Sequence, residues 1–419
     1  MKKRRSLENS RLKAFAMVYA LMILLLSAVM CSAFLYVNFL HKYRADQNSL
    51  QKELSRKVKS ALIFSLSQKD LKEGYIYPFD QITDSLYYHK RKWGIYEIIE
   101  VHAQRHKLFA KASALCGFQM HQDNTPSLYY PGNKALQLSG ATEIKTLAYL
   151  PKRGVKRAYI NGKPYKASKL ILGESKTATS EKPFQSILDF NDFRKLKENL
   201  ISETVEEIYD ENKSYINSFV DSTLLLKIFQ DQLPVENSIS GPVILYSEDS
   251  ISIAASAQIA DAIIIAPIIH ISSDFTGSLQ CIAEDKIIID KGVILAYPSA
   301  IILAARSDSS RLILEENVLF QGTCIAQSKT KKRLLYPQVI LKKNAKIEGQ
   351  LICNNLNLQT QGEVVGSCFT NKLILKTNSS IYENHLMDAK FDIEPLSNQF
   401  AGIEIDTLTG PKRIVKWIY

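Results

Sequence analysis

The sequence lacks the residue clusters on which catalysis and metal binding usually depend. Its six cysteines include no C-x2-C pair, so neither a zinc ribbon nor a dithiol redox motif is indicated. His102 and His106 stand four residues apart in a segment that we predict to be helical, but Ala103 occupies the position where a zinc protease requires glutamate. Aspartates near the later strands do not recur at one repeat position, as the carboxylates of a hydrolase groove would: Asp261, Asp274, Asp285 and Asp290. We therefore expect no enzyme activity, no cofactor and no metal.

The chain also lacks the distributed positive charge of a nucleic-acid-binding protein. Its formal net charge is +11, but residues 1–13 carry six Lys and Arg against Glu8 alone and contribute +5 of that total. The remaining +6 is spread over roughly 400 residues, so nucleic acid is not expected as a partner. One internal run reads as a loop extruded from a repeat and is the candidate contact for a polyanion: Lys329, Lys331, Lys332 and Arg333.

One long hydrophobic run is present near the N-terminus. Residues 14–40 contain no charged side chain, and as a helix they would span about 40 Å, more than the roughly 30 Å hydrocarbon core of a bilayer. The run is too long for the apolar region of a cleaved signal peptide, and Met30 before Cys31 does not fit a lipoprotein site. Because the basic residues precede the run, we expect a single-pass protein of the inner (cytoplasmic) membrane, with the N-terminus in the cytoplasm and the bulk of the chain periplasmic or extracytoplasmic.

The helix is expected to continue beyond the bilayer as an amphipathic stalk. Apolar residues recur every fourth position, with charged residues between them: Leu50, Leu54, Val58 and Leu62. A helix that carries an apolar stripe out of the membrane, together with Ala14 before Phe15, resembles the N-terminal stalk of pilins and pseudopilins over about 55 residues. Tyr19 departs from that pattern, because those families often have glutamate there. The resemblance implies a role in a pilus- or secretion-related assembly.

A short hydrophobic phrase is repeated through the C-terminal half of the chain. Apolar anchors lie six residues apart, and a glycine or aspartate follows the second anchor by two. Steps of 17 or 18 residues separate successive copies, which is typical of stacked coils in a parallel β-helix. An antiparallel β-sandwich is the alternative, although it has no reason to keep one step length. The predicted structural repeat residues are Ile253, Ile259, Leu314, Phe320, Gly322, Leu341, Ile347, Gly349, Leu358, Val364 and Gly366.

These anchors resemble the repeat of bactofilins, the polymer-forming bacterial β-helix proteins, over roughly residues 238–386. The resemblance implies a scaffold and self-association, although the long flanking segments and the membrane anchor depart from the compact bactofilin chain. Three cysteines fall on the inward face of the repeat and are predicted to be small core residues: Cys324, Cys353 and Cys368. A disulfide between the last two is the alternative, since the chain is expected to lie outside the cytoplasm.

The middle of the chain is expected to be mixed. We predict a helix at 88–111, an outlying first coil at Leu136–Ala148, and a helical insertion that caps the exposed end of the stack. The fold class is thus α+β, with an N-terminal transmembrane helix, a mixed or helical middle region and a C-terminal parallel β-helix of about 17–18 residues per coil. The predicted parts are a cytoplasmic basic tail (1–13), a transmembrane helix (14–40), a mainly helical stalk and membrane-proximal region (41–134), the outlying coil and loop (135–184), the helical insertion (185–234), the β-helix (235–387) and C-terminal strands or a cap (388–419).

Two functions remain open from the residues. The leading one is a membrane-anchored, non-catalytic scaffold or assembly component of the bacterial envelope, whose partners are the lipid bilayer and either envelope proteins or further copies of itself. The alternative is an extracytoplasmic carbohydrate-binding or carbohydrate-active β-helix with a groove lined by His270, Asp274 and Tyr297.

Overall fold

The computed structural model describes residues 2–68, 71–78, 85–120, 124–178, 190–202, 204–229, 234–328, 338–377, 380–405 and 409–418. The elements in chain order are α1 (Lys2–Ser67), β1 (Gly74–Ile76), β2 (Ser85–Trp93), β3 (Tyr96–Arg105), β4 (Leu108–Met120), β5 (Leu128–Tyr129), β6 (Leu136–Ser139), β7 (Glu143–Ile144), β8 (Ala148–Leu150), β9 (Val155–Arg157), β10 (Tyr159–Ile160), β11 (Lys163–Pro164), β12 (Ser175–Thr177), α2 (Phe190–Ser202), β13 (Thr204–Ile208), β14 (Tyr215–Ile216), β15 (Thr223–Lys227), β16 (Pro234–Val235), β17 (Ser238–Ser240), β18 (Val243–Tyr246), β19 (Ser250–Ile253), β20 (Gln258–Ile265), β21 (Ile268–Ile271), β22 (Thr276–Ala283), β23 (Lys286–Ile289), β24 (Ile294–Ala305), β25 (Arg311–Leu314), β26 (Leu319–Ser328), β27 (Val339–Leu341), β28 (Lys346–Leu358), β29 (Glu363–Lys376), β30 (Ile381–Glu383), β31 (His385–Met387), β32 (Lys390–Asp392), β33 (Ala401–Gly402) and β34 (Thr409–Ile418).

The chain forms two compact units, and the first is built on α1. It comprises Met1–Ile63, Gly74–Tyr88 and Val101–Ala112. Among the described residues, α1 is the one helix long and apolar enough to cross a membrane, and its apolar side chains from Met17 to Phe39 are exposed. The predicted continuation of the membrane helix into a stalk is confirmed, because one helix runs on to Ser67.

The far part of α1 buries one face, as the four-residue spacing predicts. Leu54, Val58 and Leu62 are at most 1% exposed, and Ala61 joins them on the same side of the helix. Hydrogen bonding fixes this part of the helix within its unit, since the Gln51 Nε2 atom donates to the Phe109 carbonyl oxygen at 2.8 Å. The structure therefore combines an exposed apolar segment and a packed amphipathic segment in one helix.

The prediction of a helix at 88–111, and of a mainly helical region up to 134, is wrong beyond Ser67. Residues 85–120 form the antiparallel strands β2, β3 and β4, and the sheet order is β1-β2-β3-β4-β33 with β34 also paired to β4. Helical spacing arose because Ile98 and Ile99 are adjacent and both fully buried, which interrupts the alternation of a strand. A strand covered on both sides loses the period of two by which it would be recognised.

The second unit, Phe64–Glu73, His89–Glu100 and Ser113–Tyr419, contains a β-helix-like stack of short strands. The strands of successive coils pair in parallel on three faces, which excludes the antiparallel sandwich. Face 1 aligns twelve strands in the order β12-β8-β5-β29-β28-β26-β24-β22-β20-β18-β15-β13. At about 4.8 Å between neighbouring strands, the stack is about 50 Å long.

The predicted anchors form two continuous columns of side chains inside the stack. On face 2 the residues Ile253, Ile271, Ile289, Leu314, Leu341 and Leu358 stand in register, one per coil. On face 3 the residues Leu295, Phe320, Ile347, Val364 and Phe391 do the same, while Ile259 is in register with Ile239. All of these side chains are buried, so the predicted repeat is confirmed as the core of the stack.

The corner between faces 3 and 1 contains the predicted glycine column. Gly322, Gly349 and Gly366 pair with one another in successive coils and have φ between +136° and +150°. A Cβ atom on Gly349 would lie 2.1 Å from the carbonyl oxygen of Gly322, so the coils approach one another too closely for any side chain. Asp261 also has positive φ, as predicted from its place in an earlier coil.

A second corner, between faces 2 and 3, was not predicted. It follows each face 2 anchor by three residues and is left-handed in consecutive coils. Asparagine, aspartate and glycine tolerate that conformation best, and they make up most of the column. The residues with positive φ there are Asp274, Gly292, Asn317, Asn344, Gln361, Asp388 and Gly140.

The segment predicted as an outlying first coil is a coil, but it lies at the opposite end of the stack. Leu138 pairs with Leu386 and Ile144 pairs with Phe391, so the repeat template assigned their roles correctly. Their partners, however, belong to the last coils of the chain rather than to the block that begins near residue 235. Residues 124–178 therefore complete the far end of the stack.

The predicted helical insertion at 185–234 is mostly wrong. Only α2 is helical, and β13, β14 and β15 after it are coil strands, so the stack begins near residue 204. Leu200 of α2 packs on the outer side of face 1 with Ile244, Ile263 and other side chains that point away from the core. α2 therefore covers a side of the stack and does not cap its end.

The C-terminal strands dock on the chain itself. Residues 403–405 are not a strand, and Gly410–Pro411, predicted to be a turn, lies inside β34 where the register with β4 shifts. Proline is tolerated at such an irregularity because it donates no ladder hydrogen bond. β34 pairs with β4 from Ser113 to Met120, and Ile403 and Ile405 add to the cover of face 1.

Candidate functional site

The predicted site residues do not converge on one centre. The repeat residues hold the core of the stack and contact no open cavity in common. The predicted polyanion contact, formed by Lys329, Lys331, Lys332 and Arg333, lies outside the described residues.

The two histidines once considered as a metal pair do not share a helix face. His102 lies on β3, where its ring is 5.1 Å from the Tyr87 ring and 5.8 Å from the Phe109 ring, measured between centroids. His106 lies in the turn between β3 and β4 with a φ of 53°. His102 thus belongs to a row of cross-strand aromatic contacts, which also includes Tyr75 on β1.

The three residues predicted to line a glycan groove have separate partners on different sides of the stack. His270 on face 2 pairs with Asp290 of the next coil, with 2.8 Å between Nε2 and Oδ2. Asp274 is one of the left-handed corner residues. The Tyr297 hydroxyl donates to the Ala401 carbonyl oxygen at 3.0 Å, and burial raises the pKa of this phenol to about 12. A groove formed by these three side chains is therefore not supported.

The cysteines of the repeat are buried in the stack as free thiols, as their spacing predicts. Cys324 and Cys368 are each in register with Leu351, whereas Cys353 is in register with Ala326 and Thr370. Burial raises the pKa of the Cys353 thiol to about 12, so it stays protonated at neutral pH. These residues serve as small core side chains.

The two ends of the stack differ in charge. At the end bounded by β12, residues 151–178 contain eight Lys and Arg against Glu174 alone; we call this segment the basic end. Most of these cations are exposed, and in the described part of the chain the salt bridges of this segment are Lys163–Asp388 and Lys176–Glu174. β12 pairs only with β8 among the described strands, so its other edge is available for pairing.

The opposite end, bounded by β13, is acidic. Residues 204–222, which we call the acidic end, contain five Asp and Glu against Lys213 alone. Glu206 and Glu207 form ion pairs with Lys227 and Lys213 respectively. Exposed apolar side chains accompany the charges at this end: Val205, Ile208, Ile216 and Val220. Of the described strands, β15 alone pairs with β13.

Aromatic side chains close the core at each end. At the basic end Tyr165, Leu170 and Ile171 pack on the last coil. At the acidic end Tyr209 and Tyr215 stack with their ring centroids 6.1 Å apart, and burial raises the pKa of Tyr209 to about 12. The apolar column is thereby shielded from water, while the charged segments and the strand edges remain accessible.

Two cavities lie on the covered side of face 1. The larger, about 910 Å³, is lined by Lys90, Lys92, Lys195 and Lys412 together with Glu97 and apolar residues. Burial would raise the pKa of the Glu97 carboxyl, but hydrogen bonds and charge from Lys412 and Lys92 lower it below its ordinary value. The acid is therefore ionised and neutralises part of the lysine charge.

The smaller cavity, about 300 Å³, brings together both tryptophans of the chain. Trp93 from β2 and Trp417 from β34 form its walls with Phe219, and the Trp93 Nε1 atom donates to the Asp261 carbonyl oxygen at 3.1 Å. The polar residues of the lining are Asn217, Ser218, Ser240, Asp261, Ser278, Gln280 and Lys416. The tryptophans are more than 300 residues apart, so only their scarcity in the sequence could have drawn attention to them.

Comparison with known proteins found no matching family model, no similar curated protein and no similar solved structure.

Proposed function

We propose that the protein is a single-pass, membrane-anchored structural component of a bacterial envelope assembly, in which the β-helix stack lies outside the cytoplasm and joins end to end with further copies. The observation that carries the proposal is the opposite charge of the two ends of one parallel stack. A basic end and an acidic end attract one another between copies, and each carries a strand edge that can extend face 1. Such a contact is head-to-tail, and it generates a ring or a filament.

The exposed apolar part of α1 supports the membrane location. Its side chains between Met17 and Phe39 are as hydrophobic as a transmembrane segment requires, and basic residues precede them in the chain. The positive-inside rule then favours an inner-membrane protein with a cytoplasmic N-terminus. The likenesses to bactofilins, in the repeat, and to pseudopilins, in the stalk, belong to this proposal and agree with a role in assembly rather than catalysis.

The membrane location is tested by fractionation and protease protection. The full-length chain should remain in the membrane pellet after alkaline carbonate extraction, and a variant without residues 16–40 should be released. Protease added outside the inner membrane of spheroplasts should degrade the part that follows α1. Recovery of the full-length chain in the soluble fraction, or protection of the stack from external protease, would contradict the proposed topology.

The end-to-end contact is tested by reversing charge at each end. Lys152→Glu with Lys156→Glu reverses part of the basic end, and Asp210→Lys with Glu211→Lys reverses part of the acidic end. Each double variant alone should lose self-association, measured by sedimentation velocity in detergent at low salt. The chain that carries all four substitutions should regain it, because its ends again have opposite sign.

The matched control is Lys343→Glu, which changes an exposed charge on the side of the stack and should leave association unchanged. Association of the wild-type chain should also weaken as salt is raised, because the contact depends on exposed charges. Equal behaviour of all the variants would show that the ends do not mediate assembly. That result would leave the membrane location standing, because the two experiments are independent.

A further inference from the structure

We propose that the cavity between Trp93 and Trp417 binds a single sugar ring of a glycan. This inference is independent of the proposed assembly function. It rests on the shape, the charge and the polar groups of a cavity on the covered side of face 1.

The size of the cavity suits one small ring. Its volume of about 300 Å³ is at the lower end of the range of about 300–1,000 Å³ found for small-molecule pockets. Trp417 is half-buried and forms one wall, and the Phe219 ring contacts the Trp93 ring edge to face at a centroid distance of 5.5 Å. Aromatic walls of this kind accept the C–H face of a sugar ring.

The polar floor is set by the stacking of the coils. Ser240 on β17 and Ser278 on β22 occupy one register position, with Ala260 of the coil between them in line. Their hydroxyl groups therefore point in one direction from two coils that enclose Asp261. Asn217 is held beside them, because its side-chain Nδ2 donates to the Ser222 carbonyl oxygen at 2.9 Å and its backbone N donates to the Ser240 carbonyl oxygen at 3.0 Å. Hydroxyl and amide groups both donate and accept, which matches the alternating hydroxyls of a sugar.

The charge of the cavity favours an uncharged ligand. Its charged lining residues are Asp261 and Lys416, which pair with each other at 2.6 Å. A phosphate or carboxylate group would find no unpaired cation among these lining residues, and an ammonium group would find no unpaired carboxylate. A neutral polyhydroxyl ring requires neither, so a sugar fits better than a nucleotide or an amino acid.

The experiment uses the tryptophans as the reporter, since the chain contains two and both line the cavity. The full-length protein is prepared in a phosphocholine detergent, because maltoside and glucoside detergents would compete for the site. Glucose, galactose, mannose and N-acetylglucosamine are titrated separately while tryptophan emission is recorded. Sorbitol, an acyclic polyol, serves as the control for non-specific solvent effects.

At least one of the four sugars should change the emission in a saturable way in the millimolar range, and sorbitol should not. Ser278→Leu and Ser240→Leu place a larger side chain in the cavity and should each weaken the response at least tenfold. The matched variant Ser252→Leu lies on face 2 and should respond like the wild type. Thermal melts establish that each variant is folded. Absence of a saturable change with all four sugars, or an undiminished response in both cavity variants, would overturn the proposal.

Discussion

The alternation of buried and exposed isoleucines on β23 provides a matched test of the stacked core. Ile289 is fully buried and lies between Ile271 and Leu314 of the neighbouring coils, whereas Ile288 points outward and is partly exposed. Ile289→Ala and Ile288→Ala remove the same three carbon atoms from adjacent positions of one strand. The backbone, the propensity change and the place in the chain are therefore the same for both variants.

The expected magnitudes differ because only one site leaves a cavity. Strands hydrogen-bonded on both sides cannot move inward to fill the space left at Ile289, so its loss should cost about 4 kcal/mol, towards the upper end of the range for buried Ile→Ala. Ile288→Ala removes partly solvated surface and leaves no enclosed void, so it should cost about 1 kcal/mol. The difference of about 3 kcal/mol exceeds the uncertainty of either value.

Urea unfolding of the full-length protein in detergent measures the loss, with amide hydrogen exchange to locate it. A stack of coils need not unfold in one step, so the exchange rates of amides in β21, β23 and β25 are the sharper measurement. Ile289→Ala should accelerate exchange in all three strands. Equal effects of the two substitutions, or a larger effect at Ile288, would refute the inward and outward assignment of the strand and with it the stacked core.

Three further predictions concern single residues elsewhere. Gly349→Ala should destabilise the stack by more than about 2 kcal/mol, because the new Cβ atom would overlap the neighbouring coil, whereas Gly154→Ala, with no heavy atom within 4 Å and a φ of +71°, should cost about 1 kcal/mol; chemical denaturation of both variants checks this. Cys353, whose pKa burial raises to about 12, should resist iodoacetamide at pH 8 in the native protein and react after unfolding in urea, and modification of the native chain at this position, identified by mass spectrometry, would contradict its burial. The lowered pKa of Glu97 means that its ion pair stabilises the fold above about pH 4.5 and that this stability is lost as pH falls through the lowered value; Lys412→Met should therefore reduce the melting temperature at pH 7 and have progressively less effect below pH 4.5, and an effect independent of pH would exclude the ion pair as its cause.

The core of the stack could be predicted because its geometry repeats. Each face 2 and face 3 anchor meets an equivalent residue one coil away, so the sequence must place an aliphatic side chain at a fixed interval. The glycine column was equally visible, because the close approach at Gly349 leaves room for no other residue. The left-handed corner was missed because Asp, Asn, Gln and Gly all satisfy it, which spreads the signal over several residue types.

The cover of face 1 left a signal that periodicity alone does not resolve. Ile301 and Leu303 point into the core while Ile302 points outward, yet all three are fully buried. A run of consecutive aliphatic residues therefore marks a strand covered on both sides. What covers it, namely α2, parts of the antiparallel sheet and the C-terminal segment, comes from distant parts of the chain and follows no repeat.

The place of the 124–178 coil could not be predicted for a related reason. The template specifies what a coil looks like and not which coil it stacks on, so Leu138 was assigned correctly to its position within a coil and wrongly to an end of the stack. The tryptophan cavity was missed because its residues come from four separate parts of the chain and share no spacing. Sites formed at such junctions are invisible to any search for motifs.

The attachment of residues 124–178 beside the last coils also constrains how the protein is made. Leu128 and Tyr129 pair with Cys368 and Phe369, and β4 pairs with β34, so early segments wait for partners that emerge from the ribosome some 240 residues or more later. Contacts of such long range are slow to form. The newborn chain must therefore keep its first coil unpaired until synthesis is almost finished, and a prematurely terminated chain would leave that coil open to proteases and to aggregation.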